Sequence, residues 1–388
     1  MIHRPRCSRG VSAAPLALVI GISFVVGACG SPAPTAPASA ASNASTASAA
    51  ALASPEASAA VATPAAPSSA ATPTAAPKPV PTTVRLALDW TPNTNHLGFY
   101  VAQAKGWYAD AGIALDILPY GGTAPEAILA AHQAECGISF QDSMTFAVAA
   151  GAPIVSVMAI LQHTAQDIAV LADSKITRPK QLDGKTYAGF GYPNEVPTLQ
   201  SVIRNDGGTG TFDSVTLDTA AYEALYAKRA DFVITFAAWE GIEAAQRGVD
   251  LRTFRFTDYG FPDFYQVVLA CDRDWLAKDP EAAKAFVTAT TRGFGFAALN
   301  PDEAAAILVS SNPGVFDANP ELPKASATYL AEQGLFIDPH AGVGTQTLEK
   351  WSGYSGFLYQ QGLLADAQGA ALTAPPDYAS LFTNEFLP

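Results

Sequence analysis

Positive charge, cysteine and the common catalytic signatures are all scarce in this 388-residue chain. Lys and Arg number 22 against 35 Asp and Glu, for a formal net charge of −13. A chain this acidic argues against nucleic acid or an anionic lipid surface as the ligand. No serine nucleophile elbow, HExxH, GxGxxG, Walker-type sequence or paired-cysteine metal site occurs, which leaves the hydrolase, zincin and nucleotide-binding classes without support. The four cysteines, Cys7, Cys29, Cys136 and Cys271, are far apart. No catalytic residue, metal ligand or cofactor is therefore expected from motifs.

The first 82 residues lack what a folded domain needs. Arg4, Arg6 and Arg9 precede an apolar run, "PLALVIGISFVVGA", that is short for a membrane span and reads as a signal peptide over residues 1–28. The run ends in Val26-Gly27-Ala28-Cys29, a pattern that resembles a bacterial lipobox, with Cys29 as the lipidated first residue of the mature chain. An ordinary secretory signal with a chance cysteine is the plainer alternative. Losing residues 1–28 removes three arginines and no acid, so the formal charge goes from −13 to −16. Residues 29–82 are almost wholly Ala, Ser, Thr and Pro, with Glu56 and Lys78 as the only charges and no aromatic residue. Such a segment cannot bury enough apolar surface to offset its ordering entropy, and it reads as a disordered tether. Extended at about 3.1 Å per residue, 50 such residues would reach on the order of 150 Å.

From Val84 onward the pattern alternates between apolar strands and short helices. "VRLALDW", "IALDILPY", "CGISF" and "PIVSVMAIL" read as strands, separated by "GFYVAQAKG", "APEAILAAHQAE" and "SMTFAVAAG" as helices. The centre repeats the alternation, with "TYAGFGY", "DSVTLDT" and "DFVITF" as strands. After "PDFYQVVLACDRDWL" the chain turns mostly helical. This predicts an α/β fold of two lobes with parallel sheets and right-handed crossovers. Lobe 1 would comprise residues 83–171 and 265–388, and lobe 2 residues 172–264. Ligands of such sheets sit at the carboxyl ends of the strands, so a cleft between the lobes is expected. Cys136 and Cys271 either pair across an oxidising compartment or stay as two buried thiols; the sequence leaves both open.

The strand ends carry aromatic rings, amides and acids, with scarcely any Lys or Arg. They deliver Asp89, Trp90, Thr91, Asn93 and His96, then Tyr120, then Gln141, Asp142 and Ser143, then Gln162 and His163. The second lobe delivers Tyr192, Asn194 and Glu195, then Trp239, Glu240 and Glu243. A phosphate or carboxylate ligand would call for Arg, Lys or a glycine nest. Aromatic walls with amide and carboxylate partners suit a planar heterocycle carrying ring nitrogens and carbonyls. Each residue also has a plain structural reading. Trp90 and Trp239 could be core, Asn93 and Asn95 turn-closing, His96 a helix-start residue, and Glu243 a partner for a helix N-terminus.

"LALDWTPNTNHLGFYVAQAKGWYADAGI" resembles the opening of the bacterial THI5/NMT1-like periplasmic binding proteins, and "FAAWEGIEAAQRGVDL" is similar to that family's Phe-x-x-Trp-x-Gly-Ile-Glu segment. The resemblance runs from Val84 to at least Tyr265. It implies a type II periplasmic-binding-protein fold and delivery of a vitamin to an ABC permease and its ATPase. Location would be extracytoplasmic, and no cofactor, metal or nucleic-acid partner is implied. The family binds the formylaminopyrimidine precursor of thiamine and, in a sister group, riboflavin. By the motif match Asp89, Trp90, Asn93 and His96 line one wall, and Trp239 and Glu243 the other. Eukaryotic relatives that make the thiamine pyrimidine carry a cysteine-rich motif that is missing here, so synthase activity is not expected. "AGFGYPNE" stands where pyrimidine binders have a Gly-Gly-Trp-Gly-like turn, and Ala237 and Ala238 stand where tyrosine is common. The smaller side chains point to riboflavin ahead of a single-ring pyrimidine.

Overall fold

The computed structural model describes residues 81–388; the signal segment, Cys29 and the tether to residue 80 lie outside the described residues. Thr82, expected as the last tether residue, is already part of β1 and pairs with Ile113. The first half of the chain runs β1 (Thr82–Ala87), α1 (Leu97–Ala104), α2 (Trp107–Asp110), β2 (Ile113–Leu118), α3 (Pro125–Ala130), β3 (Cys136–Ser139), α4 (Gln141–Ala149) and β4 (Ile154–Leu161). The central part runs β5 (Gln166–Leu171), β6 (Thr186–Gly189), α5 (Glu195–Asn205), β7 (Asp213–Thr216), α6 (Ala220–Tyr226), β8 (Val233–Phe236), α7 (Glu240–Gln246) and β9 (Leu251–Arg255). The remainder runs β10 (Val267–Asp272), α8 (Arg273–Lys278), α9 (Pro280–Leu299), α10 (Pro301–Ser311), α11 (Leu322–Glu332) and α12 (Leu348–Gln360).

The strands form a five-stranded sheet ordered β2-β1-β3-β10-β4, a three-stranded sheet β8-β5-β9 and a pair β6-β7. Parallel pairing holds for β1 with β2 and β3, and for β6 with β7. Elsewhere the pairing is antiparallel: β10 runs opposite to both of its neighbours, and β5 opposite to β8 and β9. Only four residues, Gln162 to Ala165, join β4 of the first sheet to β5 of the second, too few for the crossover that a parallel return within one sheet needs.

Helix α1 lies against α9 at backbone distance. A Cβ at Gly98 would stand 2.2 Å from the Phe294 ring, and one at Gly293 would stand 2.0 Å from the Gly98 carbonyl oxygen. Only glycine permits that approach. It brings α1, and with it the loop that follows β1, close to the body of the first core, where Val84, Leu86, Phe99, Phe286 and Phe294 are buried. A second core gathers Ile168, Tyr187, Leu199, Phe232 and Phe254. Tyr354 and Leu358 of α12 belong to this second cluster, so the C-terminal region expected wholly in lobe 1 also packs against the central part of the chain. Cys136 and Cys271 are register partners on β3 and β10 and form a disulfide.

The two segments that pass between the sheets are fastened to each other. Asp263 accepts from the Thr164 amide at 3.1 Å and lies 2.6 Å from His163 Nδ1 and 2.7 Å from Lys350 Nζ. Gln266 Oε1 accepts from Thr164 Oγ1 at 3.0 Å. Among the described residues no helix is long and apolar enough to cross a membrane.

Candidate functional site

Strand β1 ends in a loop that closes on itself and leaves one ring outside. Asn93 Oδ1 accepts from the Asn95 amide at 2.8 Å, capping the 3-10 turn Thr94–His96. The Asn93 amide donates to His96 Nδ1 at 3.2 Å. That bond makes Nδ1 an acceptor, so the proton sits on Nε2, which donates to Asp89 Oδ1 at 2.8 Å. His96 is fully buried with both nitrogens engaged. His96 was expected on the cleft wall; the structure places it beneath the loop, where it fixes Asp89 and the turn. Asn93 is likewise used for capping, as its plain reading held.

Trp90 is left 42% exposed. Its ring lies 5.3 Å from that of Tyr120, at the end of β2, with 32° between the planes. An aromatic pair of this kind contributes about 0.5–1.5 kcal/mol beyond its buried area. Here it also presents a broad flat surface.

Near these residues stands a group of acids. Glu126, in the first turn of α3, accepts a hydrogen bond from Ser139 Oγ. Burial pushes its carboxyl above the usual range, and the negative charges of Asp142 and Asp89 push it the same way. Asp142, in the first turn of α4, is also raised by burial. It accepts from Asn194 Nδ2 at 2.7 Å and from the Tyr354 hydroxyl at 3.3 Å. Sequence reasoning missed Glu126, Ser139 and Tyr354 as members. The one available signal was the Pro125-Glu126 pair just after the Tyr120-Gly121-Gly122 turn. Gln141 was expected on the wall but is a structural residue. It is 1% exposed, its Nε2 donates to the Lys350 and Trp351 carbonyls, and its Oε1 accepts from the Tyr265 amide.

Across from β1, "AGFGYPNE" forms a second aromatic shelf. Phe190 and Tyr192 stack at 6.3 Å and 17°, and Tyr192 is 62% exposed. Burial raises the Tyr192 hydroxyl, and the nearby Tyr120 and Asp142 add to the effect, which places these three in one neighbourhood. Glu195 accepts from the Phe190 and Gly191 amides at 3.1 and 3.0 Å. The two loop amides that could have held an external anion ahead of α5 are therefore taken by the chain's own carboxylate. Gly191 has φ +90°, and a Cβ at Gly189 would stand 2.5 Å from Glu195 Oε2, so both glycines are required by this turn.

The third expected group is separate. Trp239 caps α7 and packs against the first core, only partly buried. Among the described residues no aromatic pair or hydrogen bond joins it to Trp90 or Tyr192. Glu240 accepts from the Phe236 amide at 3.3 Å, and burial pushes its carboxyl up to about 7. Glu243 faces its own helix, 3.9 Å from Arg247 Nη1, which pairs with Glu223 at 2.7 Å. Ala238 is buried in the first core, whereas Ala237 borders a polar cavity of about 340 Å³. The space expected from these two alanines is thus not beside the Trp90–Tyr120 surface.

The structure therefore brings together Asp89, Trp90, Tyr120, Glu126, Asp142, Tyr192, Asn194 and Glu195. It offers two flat faces, several carboxyls and an amide. Apart from Arg247 beside Glu243, no Lys or Arg side chain pairs with any of the acids named in these groups among the described residues.

Known proteins agree with this architecture. The periplasmic aliphatic sulphonate binding protein SsuA from Escherichia coli superposes with a TM-score of 0.58 at 16% identity, covering 78% of this chain and 92% of that one. The fold is that of the periplasmic binding proteins. In sequence the chain is 28% identical over 275 residues to the formylaminopyrimidine-binding protein of Halalkalibacterium halodurans, covering 69% of this chain and 82% of that protein. It is 26% identical over 388 residues to the riboflavin-binding protein RibY of Chloroflexus aurantiacus, covering 96% and 97%. It is 25% identical over 236 residues to a 4-amino-5-hydroxymethyl-2-methylpyrimidine phosphate synthase of Legionella pneumophila, covering 59% and 74%. Residues 93–304, more than half of the chain, match the description "NMT1/THI5 like", and the chain belongs to the NMT1/THI5-like family.

Proposed function

We propose that this protein is an extracytoplasmic solute-binding protein, tethered through a lipid on Cys29, that captures a flat N-heteroaromatic vitamin and passes it to an ABC permease with its ATPase. Riboflavin is the proposed ligand. The observation that carries this reading is the exposed Trp90–Tyr120 surface standing near the partly buried acids Asp89, Glu126 and Asp142, with Tyr192 and Asn194 in the same neighbourhood. Aromatic faces take a planar ring by stacking. Carboxyl oxygens accept from ring N–H groups, and hydroxyl and amide groups donate to ring carbonyls. An isoalloxazine presents both. Similarity to the riboflavin-binding relative along nearly all of both chains supports the choice.

A second reading is the formylaminopyrimidine precursor of thiamine, favoured by the 28% identity to a protein of that name. A synthase reading has less support. His96 has neither nitrogen free to act as a base, and no serine or cysteine nucleophile accompanies it. The absorption spectrum of the protein purified from cells grown in rich medium tests the ligand class. Bands of bound flavin support riboflavin. A colourless protein that mass spectrometry shows to hold the pyrimidine replaces it with the second reading.

A further inference from the structure

The cavity of about 340 Å³ lies beside the two segments that pass between the sheets. Asp167, Arg255, Ala237, Asp263, Tyr329 and Gln333 are on its wall, whereas Asp89, Trp90, Tyr120, Tyr192 and Trp239 are not. It is separate from the aromatic surface. The volume is that of about ten liquid waters, ample for a small molecule.

Two of its charged side chains, Asp167 and Arg255, stand outside any close ion pair among the described residues. Asp167 on β5 and Arg255 on β9 are cross-strand partners. Such partners stand within reach of one another, yet among the described residues neither enters an ion pair. Asp167 is 6% exposed, and burial pushes its carboxyl up to about 6 while the Arg255 charge and the Thr253 hydroxyl pull it down. Arg255, an exposed residue, donates to the neutral Gln333 Oε1 at 3.3 Å. Asp263, by contrast, is taken up by Lys350, His163 and the Thr164 amide. A simple cation would suit Asp167 but meet Arg255, and a simple anion would face the reverse conflict. A molecule carrying both charges satisfies both.

We propose that this cavity binds a small zwitterion of the amino-acid class, its ammonium group on Asp167 and its carboxylate on Arg255. Tyr329 and Gln333 of α11 close the opposite wall. The occupant would touch the second sheet, α11 and the Asp263 segment together, so it would also fasten the two halves of the molecule.

Calorimetric titration of the mature chain tests this, with L-alanine, L-glutamine and γ-aminobutyrate as zwitterions and n-butylamine and butyrate as single-charge controls. Asp167→Asn, Arg255→Gln and Trp90→Ala are compared with wild type after circular dichroism has confirmed their fold. The expected result is saturable 1:1 binding of at least one zwitterion and of neither control. Affinity should fall at least tenfold in Asp167→Asn and in Arg255→Gln and stay unchanged in Trp90→Ala. No zwitterion binding, equal binding of a control, or unchanged affinity in the Asp167 and Arg255 variants overturns the proposal. Flavin binding has its own test on the Trp90 surface, so either proposal can fail alone.

Discussion

At the scale of single residues, His96 shows how a group that suggests catalysis can be structural. Its two nitrogens join the Asn93 amide to the Asp89 carboxylate inside a loop with no solvent access. His96→Ala leaves both groups without a partner, and each unmet buried polar group costs about 1–3 kcal/mol. The variant should lose at least that much stability in urea unfolding and bind ligand more weakly, because the Trp90 loop loses its anchor. A variant as stable as wild type would contradict the anchoring role. Glu240 gives a prediction with a pH sign. Burial holds its carboxyl at about 7, well above the usual 4.5. A raised acid binds its proton more tightly in the folded state, so its contribution is fully present below pH 4.5 and is lost as pH rises through about 7. Glu240→Gln removes the ionisation. The variant should therefore be more stable than wild type at pH 8, by about 1–3 kcal/mol, with the difference vanishing near pH 4.5. A constant difference across that range would exclude burial as the cause. Aromatic members of the site were legible because Trp90, Tyr120 and Tyr192 each follow an apolar run. Glu126 was not, because an acid in a helix's first turn is ordinary, and what sets it apart is its burial against Ser139. Tyr354 reaches Asp142 from 212 residues away, a closeness no local pattern carries.

Among the elements, strands bounded by glycine, proline or polar turns were readable, and those without such boundaries were not. β1, β2, β3, β4, β6 and β8 coincide with apolar stretches read as strands, and β7 with "DSVTLDT", whose strand residues are all exposed. β5 escaped because it continues from β4 across Gln162–Ala165 with no turn signal. β9, "LRTFR", carries arginines at 252 and 255 and buries only Phe254 fully. These two strands and β10 supply the antiparallel pairings. The disulfide between β3 and β10 could not be read because its halves are 135 residues apart. It links neighbouring strands near the middle of the five-stranded sheet. Replacing Cys136 and Cys271 together by alanine should lower unfolding stability by about 2–5 kcal/mol. Ligand affinity should change less than twofold, since both sulfurs are buried in the first core. The denaturation midpoint with and without reductant measures the first effect. A wild-type protein whose midpoint ignores reductant while its thiols are shown to be free would contradict it.

For the whole molecule, the described residues form a domain of the periplasmic-binding-protein fold, and the proposed lipid on Cys29 would hold that domain to a surface. Cys29→Ser should release the protein from membranes into the soluble fraction. Retention of the variant after a salt and carbonate wash would remove the lipid anchor from the account. Legibility at this scale was good for the periplasmic-binding-protein fold and the family, carried by the segment after β1 and the segment leading into α7. It was poorer for the opposing wall, since Trp239 packs on the first core instead of meeting Trp90. The central claim is that the Trp90–Tyr120 surface stacks a flavin-sized ring. Fluorescence titration of riboflavin into wild type and Trp90→Ala tests it most directly. Wild type should quench both tryptophan and flavin emission at one equivalent, and Trp90→Ala should bind roughly 5- to 150-fold more weakly, the counterpart of about 1–3 kcal/mol for a buried aromatic contact. Riboflavin binding that is absent from wild type, or equally tight in Trp90→Ala, would contradict the account.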